Sequence, residues 1–306
     1  MNETSFIKLA DLFGMNSKDF FLLIKNPSIY YCDYTIPKRD GGIRHISSPT
    51  LQLMAIQREI LKQLLLPNFD VPCCCTGFVK NKSILDNVKP HLKSIYILKT
   101  DIKDFFPSIK QSRIQQLFEK IGYSKKISSV LARLCCRYGS IPQGAPTSPT
   151  LSNMIMRDAD GKILRLCEQY NFVYTRYADD ITISSKNKIN IDIMLKIKEI
   201  LAEEGFEIKK EKTHFYGKNS KKIITGISIS SGVPKLPRKT KRAWHQEIMM
   251  IKKYGILGHM DNISHYNPLF IASLFGKISF WKQIEPDNIF LDEALLILKK
   301  AIKDLS

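Results

Sequence analysis

Phe172-Val173-Tyr174-Thr175-Arg176-Tyr177-Ala178-Asp179-Asp180-Ile181-Thr182-Ile183-Ser184 is the stretch on which the reading of this chain turns. Two runs of β-branched and aromatic residues flank Ala178-Asp179-Asp180, the pattern of a hairpin with carboxylates at its tip. Neighbouring side chains on a strand point to opposite faces, so adjacent Asp residues suit a single metal poorly. One of them can bind while the other supports it. Asp101, which closes the β-rich run Ser94 to Thr100, can complete a carboxylate cluster from a second strand end. Hard oxygen ligands of this kind, with substrate phosphates, suit Mg²⁺. Two such ions can activate a hydroxyl and stabilise a leaving phosphate. Asp-Asp alone is more often a polar turn, so its surroundings decide.

Outward from the hairpin the chain alternates irregularly between strand and helix patterns. Residues 5–13 and 17–25 read as short amphipathic helices. Tyr30 to Ile36 and Ile43 to Ser47 read as strands around the tip Asp40-Gly41-Gly42. Ser48-Pro49 reads as an N-cap and first helical position, followed by Leu53, Ile56, Ile60 and Leu64 on one face. Two helices closed by Gly122 and Gly139 follow Asp101. Another runs from Ser148-Pro149 to about Cys167, and one more ends at Gly205. Residues 223–230 read as a single strand. Pro234 and Pro237 mark a linker to an all-helical remainder. The class expected is α+β, an antiparallel sheet backed by helices.

Composition narrows the function. With 306 residues, 44% hydrophobic and 25% charged, the chain can bury a real core in two or three subdomains. No apolar run reaches the roughly 18–20 residues of a membrane span. Met1-Asn2-Glu3-Thr4 does not open a secretory pattern, so a cytoplasmic protein without a membrane role is expected. The 7 cysteines include Cys73-Cys74-Cys75 and Cys135-Cys136 but no C-x-x-C spacing, which favours reduced thiols over zinc. Lys plus Arg is 47 against 29 Asp plus Glu, a net charge of +18 that calls for a polyanionic partner. Residues 205–253 concentrate it, with 13 Lys/Arg against 3 Glu.

Four ordered segments together resemble reverse transcriptases over roughly residues 28–230. Tyr177-Ala178-Asp179-Asp180 looks like their catalytic hairpin, and Asp101-Ile102-Lys103-Asp104-Phe105-Phe106-Pro107-Ser108 like their first catalytic strand. Ile141-Pro142-Gln143-Gly144-Ala145-Pro146-Thr147-Ser148-Pro149 looks like the segment before their palm helix, and Gly205 to Lys212 like the glycine-to-lysine segment after it. A narrower resemblance is to retron reverse transcriptases. Asn87-Val88-Lys89-Pro90-His91 is similar to their Asn-Ala-x-x-His element, with Val for Ala. Ile224-Thr225-Gly226 is similar to their Val-Thr-Gly element, with Ile for Val.

The resemblance implies a right-hand polymerase fold, with fingers and palm over 1–230 and a helical thumb over 231–306. It implies that Asp101 and Asp179 bridge two Mg²⁺ ions, with Asp180 a third, more peripheral carboxylate. Gln143 then lies near the incoming deoxynucleotide, and Phe106 lies beneath its sugar, excluding a 2′-hydroxyl, while Phe105 is core. Lys38, Arg39 and Arg44 are the candidate triphosphate-binding basics, and Lys212 contacts nucleotide or primer. Arg176 is expected to be structural or template-facing. Asn87, His91, Thr225 and Gly226 are expected to meet RNA. Lys235, Arg238, Lys239, Lys241 and Arg242 in the thumb are expected to contact phosphates. Trp244 is read as thumb core, and His245 and Tyr254 stay open between core and sugar packing.

The partners implied are a structured non-coding RNA serving as template and primer, deoxynucleoside triphosphates, the RNA–DNA product and a defence effector protein. The product implied is multicopy single-stranded DNA branched from a 2′-hydroxyl, in anti-phage defence. Alternatives are a CRISPR- or diversity-generating-associated reverse transcriptase, or a catalytically idle RNA-binding scaffold. The three intact aspartates argue against the scaffold, and Phe106 against an RNA-templated RNA polymerase.

Overall fold

β-branched runs broken by tight turns, set between helices, build the elements in the expected order. The computed structural model describes residues 6–38, 41–262 and 269–305. Arg39 and Asp40 lie outside the described residues. The chain runs α1 (Phe6–Leu12), α2 (Ser17–Lys25), β1 (Tyr31–Pro37), β2 (Ile43–Pro49), α3 (Leu51–Glu59), α4 (Ile84–Val88), β3 (Tyr96–Asp101), α5 (Phe105–Ser108), α6 (Gln111–Ile121) and α7 (Lys125–Cys135). It continues through α8 (Ser148–Gln169), β4 (Val173–Tyr177), β5 (Asp180–Ser185), α9 (Ile191–Glu203), β6 (His214–Tyr216), β7 (Ile223–Ile224), β8 (Ile227–Ser228), α10 (Arg238–Asn262), α11 (Phe270–Ile284) and α12 (Ile289–Leu305).

Three local expectations change. Ser48 and Pro49 stay in β2, where Pro49 pairs with Tyr31, so the helix begins after Thr50. The helix expected to close at Gly139, α7, stops at Cys135, because Cys136 is already extended. Residues 223–230 form a hairpin rather than one strand: β7 and β8 pair across Thr225-Gly226, both with positive φ (44° and 85°). A two-residue turn of that kind matches the twist of the strands it joins.

The chain forms two compact units. One comprises residues 1–83 and 96–215, the other 84–95 and 216–306. The division therefore falls at Phe215–Tyr216 rather than at 230, and the short segment carrying α4 belongs with the C-terminal residues. In the first unit a four-stranded sheet has the order β4-β5-β3-β6, with β3–β5 and β4–β5 antiparallel. Helices α3, α6, α7, α8 and α9 contribute Leu53, Phe118, Leu131, Met156, Ile163 and Ile197 to its core. In the second unit α10 is broken at Gly255 (φ 71°, ψ 175°). Trp244 of α10 packs on Trp281 of α11, ring centroids 6.4 Å apart, and His245 stacks on Phe290 of α12 at 4.4 Å. Trp244 is thus a packing residue, His245 is exposed with its ring stacked on Phe290, and Tyr254 is exposed beneath the Lys253 ammonium. Among the described residues no helix is long and apolar enough to cross a membrane, and all seven cysteines are free thiols.

Candidate active site

Strand register brings the carboxylates together. Asp101, the last residue of β3, is the cross-strand partner of Asp180, the first of β5. Directly paired residues project from the same sheet face. Tyr177 pairs with Asp180, leaving Ala178-Asp179 as a two-residue loop with Ala178 at φ 58°. The Asp179 carbonyl accepts from the Ile102 amide at 2.9 Å, tying the loop to the end of β3. Lys212 Nζ lies 2.8 Å from Asp101 Oδ2, and Lys99 Nζ 3.7 Å from Asp180 Oδ2. Lys99 was not among the expected site residues. The available signal was its place two residues before Asp101 on one strand, hence on the same face.

The electrostatics of this corner favour a cation. Burial raises Asp179 above the ordinary carboxylate range; the Asp101 charge adds to that, while Lys212 and Arg44 oppose it. Burial pushes Asp180 up to about 6; Lys99 opposes the rise, and Asp101 and Asp179 add to it. Asp180 Oδ1 is buried without a hydrogen-bond partner. An orphaned anionic oxygen beside two further carboxylates is a fitting donor set for a hard divalent ion. Among the described residues no three carboxylate, His or Cys groups close a cage around an ion by themselves.

The expected nucleotide residues lie in the same unit. Arg44 stands on β2, and its charge acts on Asp179. Lys38 follows β1, exposed, with its amide closing the hairpin onto the Gly42 carbonyl at 2.7 Å. Gln143 is fastened to β2, since its carbonyl accepts from Ser47 N at 2.8 Å. Gly144 permits this approach: it sits at φ 126°, and a Cβ there would lie 2.8 Å from the Ser47 carbonyl oxygen. Phe105 is core, whereas Phe106 is half-buried between Phe105 (5.5 Å) and Phe78 (6.1 Å). Arg176 is wholly buried, so it is structural and does not face a template.

Two RNA-facing expectations need correction. Asn87 and His91 are both 0% exposed, so neither side chain is presented to a polynucleotide. Asn87 Nδ2 instead donates to Thr225 Oγ1 at 3.4 Å, joining the two elements that the sequence singled out separately. Burial lowers His91 from 6.5 to about 3, so it is neutral in the fold. A histidine that titrates near 6.5 when unfolded and near 3 when folded draws protons to the unfolded state. The melting temperature should therefore fall as pH drops below about 6.5 and continue to fall towards 3, and His91→Gln should flatten that slope. Calorimetry across this range checks it.

The basic residues expected to contact phosphates divide. Lys241 is held by Glu285 at 3.2 Å, while Lys235, Arg238, Lys239 and Arg242 are exposed. Lys235, Arg238 and Lys241 help to line a cavity of about 670 Å³ beside β8.

Residues 36–240 match the family described as reverse transcriptase (RNA-dependent DNA polymerase). With the paired carboxylates of β3 and β5, this makes the chain a member of the reverse transcriptase family. Within it the chain belongs to the retron type. It is 36% identical over 215 residues to the Retron Ec86 reverse transcriptase of Escherichia coli, covering 68% of this chain and 66% of that one. It is 31% identical to the Retron Mx65 enzyme of Myxococcus xanthus, covering 78% and 60%, and 30% identical to the Retron Ec83 enzyme of E. coli, covering 88% of each. The chain thus spans less than two thirds of the length of the Ec86 and Mx65 relatives. Telomerase from Candida albicans, solved in complex with a fragment of telomeric RNA, shares the fold at a TM-score of 0.50 and 13% identity, covering 97% of this chain and 65% of that one. The expected class, an α+β right-hand polymerase fold, stands.

Proposed function

We propose that this chain is an RNA-directed DNA polymerase of the retron type that copies a structured non-coding RNA, starting from a 2′-hydroxyl within it. The observation that carries the reading is the pairing of Asp101 with Asp180, with Asp179 in the adjoining loop and Lys212 and Arg44 acting on the same corner. Asp101 and Asp179, with Asp180 alongside, would hold two Mg²⁺ ions, which supply charge neutralisation at the triphosphate and activation of the attacking hydroxyl. Arg44 and Lys38 receive the triphosphate of a deoxynucleotide from the β1–β2 hairpin. Gln143, held on β2, positions the nucleotide, and Phe106 bounds the space beneath its sugar. Lys212 stands where it can meet the nucleotide once Asp101 is shared with a cation.

The exposed Lys235, Arg238, Lys239 and Arg242, with Lys241 held beside them, grip RNA phosphates. Asn87 serves RNA only through what it holds in place, the Thr225-Gly226 turn, and His91 only as a buried packing residue. Branched single-stranded DNA as the product, an effector protein as partner and a cytoplasmic role in anti-phage defence complete the reading, supported by family membership and by the free thiols.

Primer extension on an RNA template, with sequencing of nucleic acid that copurifies, tests the proposal. No deoxynucleotide incorporation with either ion or template supplied would refute it. Phe106→Ala should admit ribonucleotides at least tenfold more readily, as the ratio of incorporation rates on one template reports; an unchanged ratio would make Phe106 core only. Replacing Lys235, Arg238, Lys239 and Arg242 by Gln should weaken RNA binding for all sequences. It should also reduce the slope of log affinity against log salt by roughly one unit per lost phosphate contact. Lys241→Gln should add little to that slope, because its partner is Glu285.

A further inference from the structure

Beneath the catalytic loop lies a polar cluster that the proposed chemistry does not use. Arg176 and Asp160 are both 0% exposed. Arg176 Nε donates to Asp160 Oδ1 at 2.8 Å and Nη2 to Asp160 Oδ2 at 2.7 Å. Nη2 also reaches Cys75 Sγ at 3.3 Å. Nη1 donates to Asn153 Oδ1 at 3.1 Å and to the Ala178 carbonyl at 2.9 Å. A guanidinium has five N–H donors in a rigid fork, and each has a partner here. Tyr174 OH donates to Asp160 Oδ1 at 2.7 Å, and Asn153 Nδ2 to the Gly77 carbonyl at 2.9 Å.

The target of this fork explains its cost. Ala178 occupies the left-handed region at φ 58°, 8% exposed. Two-residue hairpin loops that need positive φ normally use Gly, Asn or Asp, and an alanine there costs about 1 kcal/mol or more. Such a conformer persists only where its surroundings over-determine it. The surroundings are Arg176 on the Ala178 carbonyl and the Gly77 backbone against its amide. Since Asp179 follows Ala178 directly, the dihedrals of Ala178 set where the Asp179 carboxylate points. Stability alone does not account for Arg176, since a buried ion pair is often matched or exceeded by hydrophobic residues of similar volume.

We infer that Arg176, locked by Asp160 and Asn153, is a positioning residue for nucleotide addition: it holds the Ala178 carbonyl so that Asp179 is aimed before any ligand arrives. The inference rests on the proposed polymerase activity and adds to it a residue that never touches substrate.

The test uses the full chain with two changes. Arg176→Met combined with Asp160→Leu removes the ion pair without leaving a buried charge, and Arg176→Lys keeps a charge for Asp160 but, with its donors on one nitrogen, cannot span Asp160, Asn153 and the Ala178 carbonyl as the fork does. Four quantities are measured: the melting temperature, its rise on adding Mg²⁺, the dissociation constant for an annealed RNA template–primer, and the single-turnover rate of deoxynucleotide addition. A misplacement of about 1 Å is worth roughly a hundredfold in rate. The expected result for the double variant is a melting temperature within a few degrees of the parent and unchanged template–primer affinity. Its rate should be about a hundredfold lower, and its Mg²⁺-induced rise in melting temperature smaller. Arg176→Lys should show the same split to a lesser degree. A folded variant that adds nucleotides within threefold of the parent overturns the inference. Failure of both variants to fold also overturns it, because the cluster would then be a requirement of folding. A parent chain that adds no nucleotide refutes the polymerase reading instead, and the Mg²⁺-induced melting shift then decides the positioning role alone.

Discussion

Asp179→Asn should abolish deoxynucleotide addition, by roughly a thousandfold or more, while leaving RNA affinity unchanged. An amide is nearly the same size but lacks the charge that holds a hard cation, and loss of several kcal/mol of charge stabilisation at the transition state corresponds to that factor. The fold should not suffer. Burial holds Asp179 above the ordinary carboxylate range, which means that its charged form is unfavourable in the fold without a cation. A carboxylate raised in this way binds its proton more tightly when folded, so its charge erodes stability as pH rises through that range. Removing the charge should therefore leave the melting temperature at pH 7 unchanged or slightly higher. The rise in melting temperature on adding Mg²⁺ should shrink. Residual synthesis above a few per cent, with the fold intact, would remove Asp179 from the metal assignment.

Gly77→Ala should have the second largest effect, although Gly77 carries no chemistry. A Cβ at this position would lie 2.4 Å from the Ala178 amide nitrogen and 2.9 Å from the Tyr177 carbonyl carbon. These are backbone atoms of the β4–β5 hairpin that carries Asp179, and they cannot swing aside as a side chain would. The hairpin is also fastened to the same segment, since Thr76 N donates to the Arg176 carbonyl at 2.9 Å. One methyl group must therefore push the Tyr177–Ala178 peptide or part the two segments. Overpacking of this kind costs about 1–3 kcal/mol, and displacement of Asp179 by about 1 Å costs roughly a hundredfold in rate. Gly139→Ala is the control: Gly139 is also left-handed (φ 75°), but nothing lies within 4 Å of its added Cβ. That variant should lose stability and keep its rate. Equal rates for Gly77→Ala and the parent would show that the hairpin does not depend on this contact.

The reach of the sequence is visible in particular residues. Asp101, Asp179 and Asp180 were legible because strand ends and a two-residue loop are local features. Register then follows from which strands pair, and it set Asp101 opposite Asp180. Phe105 as core and the helix from Ser148 were legible for the same reason, since an apolar side chain and a proline in a helix's first turn are local signals. Asn87 and His91 were misread. Polar residues in a loop look available to RNA, and only the tertiary fold shows them enclosed, with Asn87 reaching Thr225 across 138 residues of chain. Ser48-Pro49 was misread because pairing with Tyr31 and Cys32 outweighed a good capping signal.

Residue type and spacing alone set the chemical groups and their order: Asp101 and Asp180 on strand ends with Asp179 in the loop before Asp180, basic residues in the first hairpin, and a basic C-terminal segment. These depend on residue type and near-neighbour spacing, which tertiary contacts do not change. Which groups face one another depends on contacts made in the folded chain. Arg176 is drawn inward by Asp160, and Gly77 is required bare by the hairpin beside it. The physical reason is that both are contacts between segments distant in sequence. Their energy lies in desolvated hydrogen bonds and in close backbone approach, and neither quantity is defined until the chain has brought the segments together.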